Sequence, residues 1–196
     1  RGLRMLAGGE VALVILAGGE DAWMRDLSGV GDSVGTLDFG LPSRKSTFQM
    51  FFERVQRLQH LAARGAEGEH VIWRQRRLRG LIMASAQDGN SHCSRALKSG
   101  SFPIGIRIPV YVLVNHDNEA SVREFLHSNL YFGLSHDDVH FCVQEHMPLI
   151  NTAGQILLRS KHEIWRRPEG TGGLFRALQR DGSFMDMKQR GVTALH

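Results

Sequence analysis

Apolar residues along this chain arrive in two rhythms. Val11-Ala12-Leu13-Val14-Ile15-Leu16 is short, unbroken and rich in branched side chains, the pattern of a strand buried on both faces in a parallel sheet. Ile108-Pro109-Val110-Tyr111-Val112-Leu113-Val114 repeats it, and Val139-His140-Phe141-Cys142-Val143 is a third strand. Between the first two, Phe48, Phe51, Phe52, Val55, Leu58 and Leu61 fall at helical spacing, predicting a helix capped by Ser46 or Thr47 that runs to about Arg64. A second helix, capped by Asp117 or Asn118, reaches about His127. Leu149–Ile150 and Ile156–Leu158, separated by Asn151-Thr152-Ala153-Gly154, read as a hairpin, and Leu174–Leu178 and Phe184–Arg190 as short helices. Strands alternating with helices predict an α/β domain with a mostly parallel sheet, whose ligand site lies beyond the carboxyl ends of the strands.

Composition narrows this picture. The 196 residues, 42% hydrophobic, suit one core. The longest apolar run, Val11–Ala17, is far short of the roughly 20 residues a membrane-spanning helix needs. A formal charge of +4 is compatible with an anionic ligand and too mild to imply nucleic acid. The arginines Arg74, Arg76, Arg77 and Arg79 lack interleaved aromatics beyond Trp73, so a basic RNA-binding module is the weakest alternative. Two cysteines, Cys93 and Cys142, build no disulfide framework and point to a reducing, cytoplasmic setting. The pentapeptide Leu6–Glu10 recurs as Leu16–Glu20, but only the second copy follows a strand. Residues 74–105 break the alternation and read as an insertion or mobile loop.

The strongest chemical signal is Leu16-Ala17-Gly18-Gly19 at the exit of the first strand, where two glycines let a ligand approach the main chain. It matches neither the dinucleotide fingerprint nor the lysine-containing phosphate loop. A second cluster, Pro168-Glu169-Gly170-Thr171-Gly172-Gly173, precedes a helix and suits an anion or a sugar, although such loops are usually simple connections. His136-Asp137-Asp138-Val139-His140 carries metal-ligand types without a closed ligand set, so no metal residues are assigned. No nucleophile elbow is present.

Seven stretches in order resemble the UDP-N-acetylhexosamine (UDP-N-acetylglucosamine) pyrophosphorylases, the eukaryotic-type uridylyltransferases. They are Leu16–Gly19; Asp38-Phe39-Gly40-Leu41-Pro42-Ser43-Arg44-Lys45-Ser46 leading into Phe48-Gln49 and Glu53-Arg54; Tyr131-Phe132-Gly133-Leu134; Gln144 with Pro148; Gly154-Gln155-Ile156-Leu157-Leu158; Gly170–Leu178; and Asp186-Met187-Lys188-Gln189-Arg190-Gly191. The resemblance implies a Rossmann-like nucleotidyltransferase domain, partial over residues 1–196 and C-terminally incomplete. It implies UTP and N-acetylglucosamine 1-phosphate as partners, Mg²⁺ as cofactor, and UDP-N-acetylglucosamine and pyrophosphate as products. Leu16, Ala17, Gly18, Gly19, Gln144 and Gly170 would bind the nucleotide, with Gln144 facing the uracil. Thr171 would contact the sugar where the family has an asparagine. The family's metal-binding aspartate falls past His196.

Two departures bear on turnover. The family's glycine loop reads Gly-Gln-Gly-Thr-Arg-Leu-Gly; here Gly19-Glu20-Asp21-Ala22-Trp23-Met24-Arg25 puts Trp23 at the arginine and adds two acids. Its Pro-Lys-Gly is Ser33-Val34-Gly35, so Val34 replaces a second cation, and Arg25 and Lys45 are the candidates to compensate. Losing one preorganised donor commonly costs about 10²–10³ in rate. The catalytic residues therefore stay unassigned. A catalytically silent nucleotide-binding or interaction protein is the alternative to the enzyme.

Overall fold

A computed structural model describes residues 2–19, 33–65 and 106–196. The arginine cluster, Cys93, Glu20, Asp21, Trp23 and Arg25 lie outside them, as does the whole of the insertion or mobile loop expected at 74–105. The helices are α1 (Gly2–Ala7), α2 (Thr47–Gly65), α3 (Glu119–Ser128), α4 (Gly173–Arg180) and α5 (Ser183–Arg190). The strands are β1 (Val11–Leu16), β2 (Val110–Asn115), β3 (Val139–Gln144), β4 (His146–Pro148), β5 (Leu158–Ser160), β6 (Glu163–Ile164), β7 (Arg166–Pro168) and β8 (Ala194–Leu195). The main sheet has the order β3-β2-β1-β8, and every pairing in it is parallel.

The alternation of β2 sorts the core into two layers. Val110, Val112 and Val114 face one side with Ile15, Val122 and Leu126, under Phe48, Phe52 and Val55 of α2. Tyr111 and Leu113 face the other with Ala12, Cys142, Ala177, Leu178 and Met187, under α4 and α5. Helices on both faces of a parallel sheet are what the continuous apolar strands require. β2 is buried throughout, whereas β1, flanked by the two-residue β8, leaves Leu16 exposed.

In α2, Ser46 Oγ accepts the Gln49 amide as a cap (3.2 Å), but Phe51, Leu58 and Leu61 sit outside the core. They line an open apolar groove of about 590 Å³ with Leu6 and Leu13, because α2 turns only one of its two apolar flanks to the sheet. The expected hairpin forms as a short one: Ile150 bridges Ile156 antiparallel, between bonds from the Asn151 amide to Gln155 O (2.9 Å) and from the Leu157 amide to Leu149 O (2.8 Å), and longer pairings join β4 with β7 and β5 with β6. The repeated pentapeptide takes two shapes. After α1, Gly9 at φ +69° ends the helix and the Glu10 amide donates to Met5 O (2.9 Å), while after β1 the Ala17 amide continues the ladder to Leu113 O (2.8 Å). The preceding element decides which bonds are on offer.

Asp137 and Asp138 form a turn before β3, and Asp138 is only 2% exposed. It receives Arg190 Nη1 (3.2 Å) and lies 3.4 Å from Arg107 Nε. Arg190 also grips Asp186 through Nε (2.9 and 3.0 Å), and Asp186 accepts the Tyr111 hydroxyl (2.6 Å). These contacts give the Asp186–Gly191 run its structural reason, since they lock α5 onto β2 and β3.

His140 stacks on Tyr111 at 5.0 Å, and its Nε2 lies 3.1 Å from Arg190 Nη2. Because the guanidinium has no acceptor, the imidazole must be unprotonated to receive it. Burial, reinforced by Arg190 and opposed by Asp186, holds the His140 pKa below its ordinary 6.5. The unfolded chain then binds the proton first, so this contribution to stability is present above pH 6.5 and is lost as pH falls through the lowered folded value. Urea unfolding at pH 7.5 and 5.5 is expected to show a stability loss that His140→Gln reduces. Burial also raises the Asp138 pKa, which acts in the opposite sense nearer the carboxylate range. In the core, Phe52→Ala should cost about 3–5 kcal/mol, and Phe51→Ala, at a residue 38% exposed, less than half as much by the same measurement.

Candidate functional site

Parallel strands end with backbone groups that the ladder no longer pairs, and burying them requires side-chain partners. The ends of β1, β2 and β3 meet this need with carboxamides. In register, Asn115 stands beside Gln144, and both flank the loop that leaves β1. Asn118 Nδ2 donates to Ala17 O (2.7 Å) and Asn115 Nδ2 to Gly18 O (3.1 Å). Gln144 Nε2 donates to the same Gly18 carbonyl. Asn115 Oδ1 in turn accepts the amides of Asp117 and Asn118 (both 2.9 Å), and Asn118 Oδ1 accepts the Asn115 amide (2.9 Å).

Asn118 therefore stands at the start of α3 as expected, but its side chain does not cap the helix; it is committed to Ala17 and Asn115. Sequence reasoning assigned Asn115 no role at all. The signal was a carboxamide closing a wholly apolar strand, followed three residues later by another, and its meaning emerges once the loop after β1 is laid beside them.

Gln144 is 1% exposed. With Nε2 spent on Gly18, its Oε1 is buried and has no hydrogen-bond partner among the described residues. An orphaned buried acceptor costs about 1–3 kcal/mol, so its place is a site awaiting a donor. Gly18 permits the arrangement: a Cβ there would lie 2.2 Å from Gln144 Nε2 and 3.1 Å from the Val114 carbonyl carbon.

The other expected residues fall around this point. Leu16 and Gly19 are exposed and Ala17 half-buried. Gly170 and Thr171 are exposed in the turn between β7 and α4, where Gly170 takes φ +73°. Antiparallel pairing of β4 with β7, and a bond from the Glu169 amide to Glu145 O (3.1 Å), bring that turn next to the residue following Gln144. The structure thus joins Gly18 and Gln144 by a direct hydrogen bond, holds Ala17 beside them through Asn118, and brings Gly170 to the same end of the sheet through Glu145. Val34 opens a 3-10 turn, Val34–Thr36, whose Gly35 lies against the Phe48 ring. Lys45, a candidate to replace the missing cation, holds Glu53 Oε2 at 2.5 Å. That contact, with Gln49, keeps the Glu53 carboxyl below its usual range.

A charged rim follows the amides. His116 Nε2 lies 3.3 Å from Glu145 Oε2, and Arg180 binds the other oxygen of the same carboxylate. The hydrogen bond from His116 is the first cause of the lowered Glu145 pKa. His146 Nε2 is 3.5 Å from Asp117 Oδ2, near enough for charge attraction but without hydrogen-bond geometry. Among the described residues, no three His, Cys, Asp or Glu side chains are grouped so as to hold a metal ion by themselves. No described helix is long and apolar enough to cross a membrane.

A family model described as "UTP--glucose-1-phosphate uridylyltransferase" matches residues 98–196, half of the chain. The chain is 28% identical over 195 residues to the UDP-N-acetylhexosamine pyrophosphorylase-like protein 1 of Xenopus tropicalis, covering 100% of this chain and 30% of that protein. It is 27% identical to UDP-N-acetylglucosamine diphosphorylase 2 of Arabidopsis thaliana, covering 97% of this chain and 31% of the relative. The fold is that of the crystal structure of the uridine diphosphate N-acetylglucosamine pyrophosphorylase from Trypanosoma brucei in complex with inhibitor, with a TM-score of 0.68 at 24% identity, over 99% of this chain and 33% of that one. The chain spans about three tenths of the length of the curated relatives it matches.

Gly18→Ala is expected to drive the Gln144 carboxamide from its buried socket, and such overpacking costs about 1–3 kcal/mol. Thermal unfolding checks the loss, and a change in the Gln144 side-chain amide signals should accompany it.

Proposed function

This chain belongs to the UTP--glucose-1-phosphate uridylyltransferase family, and on that premise we propose that it carries the uridine-nucleotide half of a UDP-N-acetylglucosamine pyrophosphorylase site. The observation that carries the reading is Gln144 Oε1, a buried acceptor without a partner among the described residues, at the carboxyl end of a parallel sheet. Uracil offers the matching donor in its N3–H, whereas cytosine and adenine present an unprotonated ring nitrogen on the same edge. A buried acceptor facing another acceptor is left unpaired, and that penalty is the source of selectivity.

In this reading Leu16, Ala17, Gly18 and Gly19 line the base and ribose, with main-chain groups able to approach because Gly18 and Gly19 lack side chains. Gly170 helps hold UTP, and Thr171 contacts the sugar of N-acetylglucosamine 1-phosphate. The reaction is attack of the sugar phosphate oxygen on the α-phosphorus of UTP; the new P–O bond forms as the bond to pyrophosphate breaks. Positioning and charge stabilisation dominate such a step. No step is assigned to a metal, since no group of three ligand side chains stands among the described residues.

The charge stabilisation is the weak part. Val34 stands at one of the family's cation positions and is apolar, and Lys45 is held by Glu53. These observations favour the second reading, a chain that binds uridine nucleotides with little or no turnover. The basic RNA-binding alternative rested on arginines outside the described residues and gains no support here.

Isothermal titration calorimetry should show UMP binding at least about tenfold tighter than CMP or AMP, the scale of one unpaired buried hydrogen-bonding group. N3-methyl-UMP, which lacks the donor, should lose that advantage. Equal affinity for all four would refute the reading. Pyrophosphate release from UTP and N-acetylglucosamine 1-phosphate by the chain should be weak or absent, and robust release would refute the silent alternative.

A further inference from the structure

We propose that Asn115 and Asn118 set the base preference of this site as positioning residues, by fixing which atom of the Gln144 carboxamide faces the ligand. The inference rests on the uridine reading above. A glutamine carboxamide can turn over about its last torsion at small cost, exchanging NH₂ for oxygen. What decides its sense is the group on its buried side. Here that group is the Gly18 carbonyl, which accepts only from the NH₂, so Oε1 is left toward the ligand.

The Gly18 carbonyl itself needs to be held. It belongs to the peptide between Gly18 and Gly19, and with glycine on both sides no Cβ resists rotation of that unit. Turned over, it would offer Gln144 an N–H in place of a carbonyl. The carboxamide would then reverse and present NH₂ outward, the partner that the cytosine ring nitrogen wants. Asn115 Nδ2 occupies the second lone pair of Gly18 O, and Asn118 Nδ2 anchors the preceding carbonyl of Ala17.

The two asparagines cannot reverse in their turn. Each Oδ1 is engaged by backbone amides of the turn after β2: Asp117 and Asn118 donate to Asn115, and Asn115 donates to Asn118. At 3% and 5% exposed, neither has water as an alternative partner. The order of dependence runs from the turn to the asparagines, then to the Gly18 carbonyl, the Gln144 amide and the base edge. Asn115 and Asn118 touch no ligand in this scheme.

The test uses Asn115→Asp and Asn118→Asp in the full 196-residue chain. Each keeps the accepting oxygen and the shape, and each removes the donor to the loop. Calorimetry with UMP and CMP should show the CMP-to-UMP ratio of Kd values falling at least about fivefold in each variant, most of the discrimination one buried hydrogen bond can supply, with binding stoichiometry near one. A merely structural role would weaken both ligands by the same factor or lower the stoichiometry, leaving the ratio intact; that result overturns the inference and leaves the uridine reading standing. Absence of any UMP preference in the unaltered chain overturns both. Should a variant fail to fold, side-chain amide exchange in the ¹⁵N-labelled unaltered chain decides. The Asn115, Asn118 and Gln144 carboxamide protons are expected to exchange slowly with and without UMP, and rapid exchange at either asparagine overturns the inference.

Discussion

The carbonyl of Gly18 is the point on which the architecture turns. Three parallel strands terminate at one level, and the loop leaving β1 carries main-chain oxygens into a buried region beside the ends of β2 and β3. An oxygen buried there must be paired, and the neighbouring strands answer with one carboxamide each. Asn115 and Gln144 share the Gly18 oxygen, while Asn118 serves Ala17. Glycine is required because a side chain would meet Gln144 and the β2 backbone at once. The unpaired oxygen of Gln144 is the remainder of this local bookkeeping, and it is what gives the strand ends a chemistry.

Holding three strand ends level requires the sheet behind them to be rigid, and the opposite end supplies that. Arg190 reaches from α5 to Asp138 and the Asp137 carbonyl at the start of β3, and to Asp186, which in turn receives Tyr111 from β2. A second restraint is the segment Leu130–Gly133, in which four successive residues take φ between +47° and +83°. Left-handed backbone costs roughly 1–2 kcal/mol for each non-glycine residue, and the surrounding packing offsets it: Phe132 meets the rings of Phe52 and Phe125, and Gly133 closes on Gln56. The turn thereby joins α2, α3 and the entry to β3 on one face of the sheet.

The described part of the site works with neutral groups. Carboxamides and main-chain amides recognise hydrogen-bonding edges at short range and discriminate through the penalty for a mismatch. Cations act differently, by neutralising charge as it develops; among the described residues, Val34, where the resemblance places one such cation, is apolar, and Lys45, a candidate to compensate, is already bound to Glu53. The His116, Glu145 and Arg180 rim is charged but internally paired.

Much of the fold was legible in residue order. Continuous apolar runs can be buried only in a covered sheet, so β1, β2 and β3 and the parallel arrangement followed from Val11–Leu16, Ile108–Val114 and Val139–Val143 alone. Helical spacing located α2, two glycines at a strand exit singled out the Leu16–Gly19 loop, and Gln144 came from resemblance. What the chain order could not express were choices that depend on what lies across space. Periodicity placed Phe51, Leu58 and Leu61 on the apolar positions of α2 but could not express the width of the surface the helix meets, and all three lie outside the core. It took Asn118 for a helix cap because that is the local use of such a residue, whereas the distant Ala17 carbonyl and the Asn115 amide outbid it. The same pentapeptide ended a helix at Gly9 and left a strand at Gly18, since identical residues take the partners their surroundings supply. Local pattern is a matter of which conformations a segment favours; which oxygen faces which amide is settled only when strands far apart in the chain end side by side.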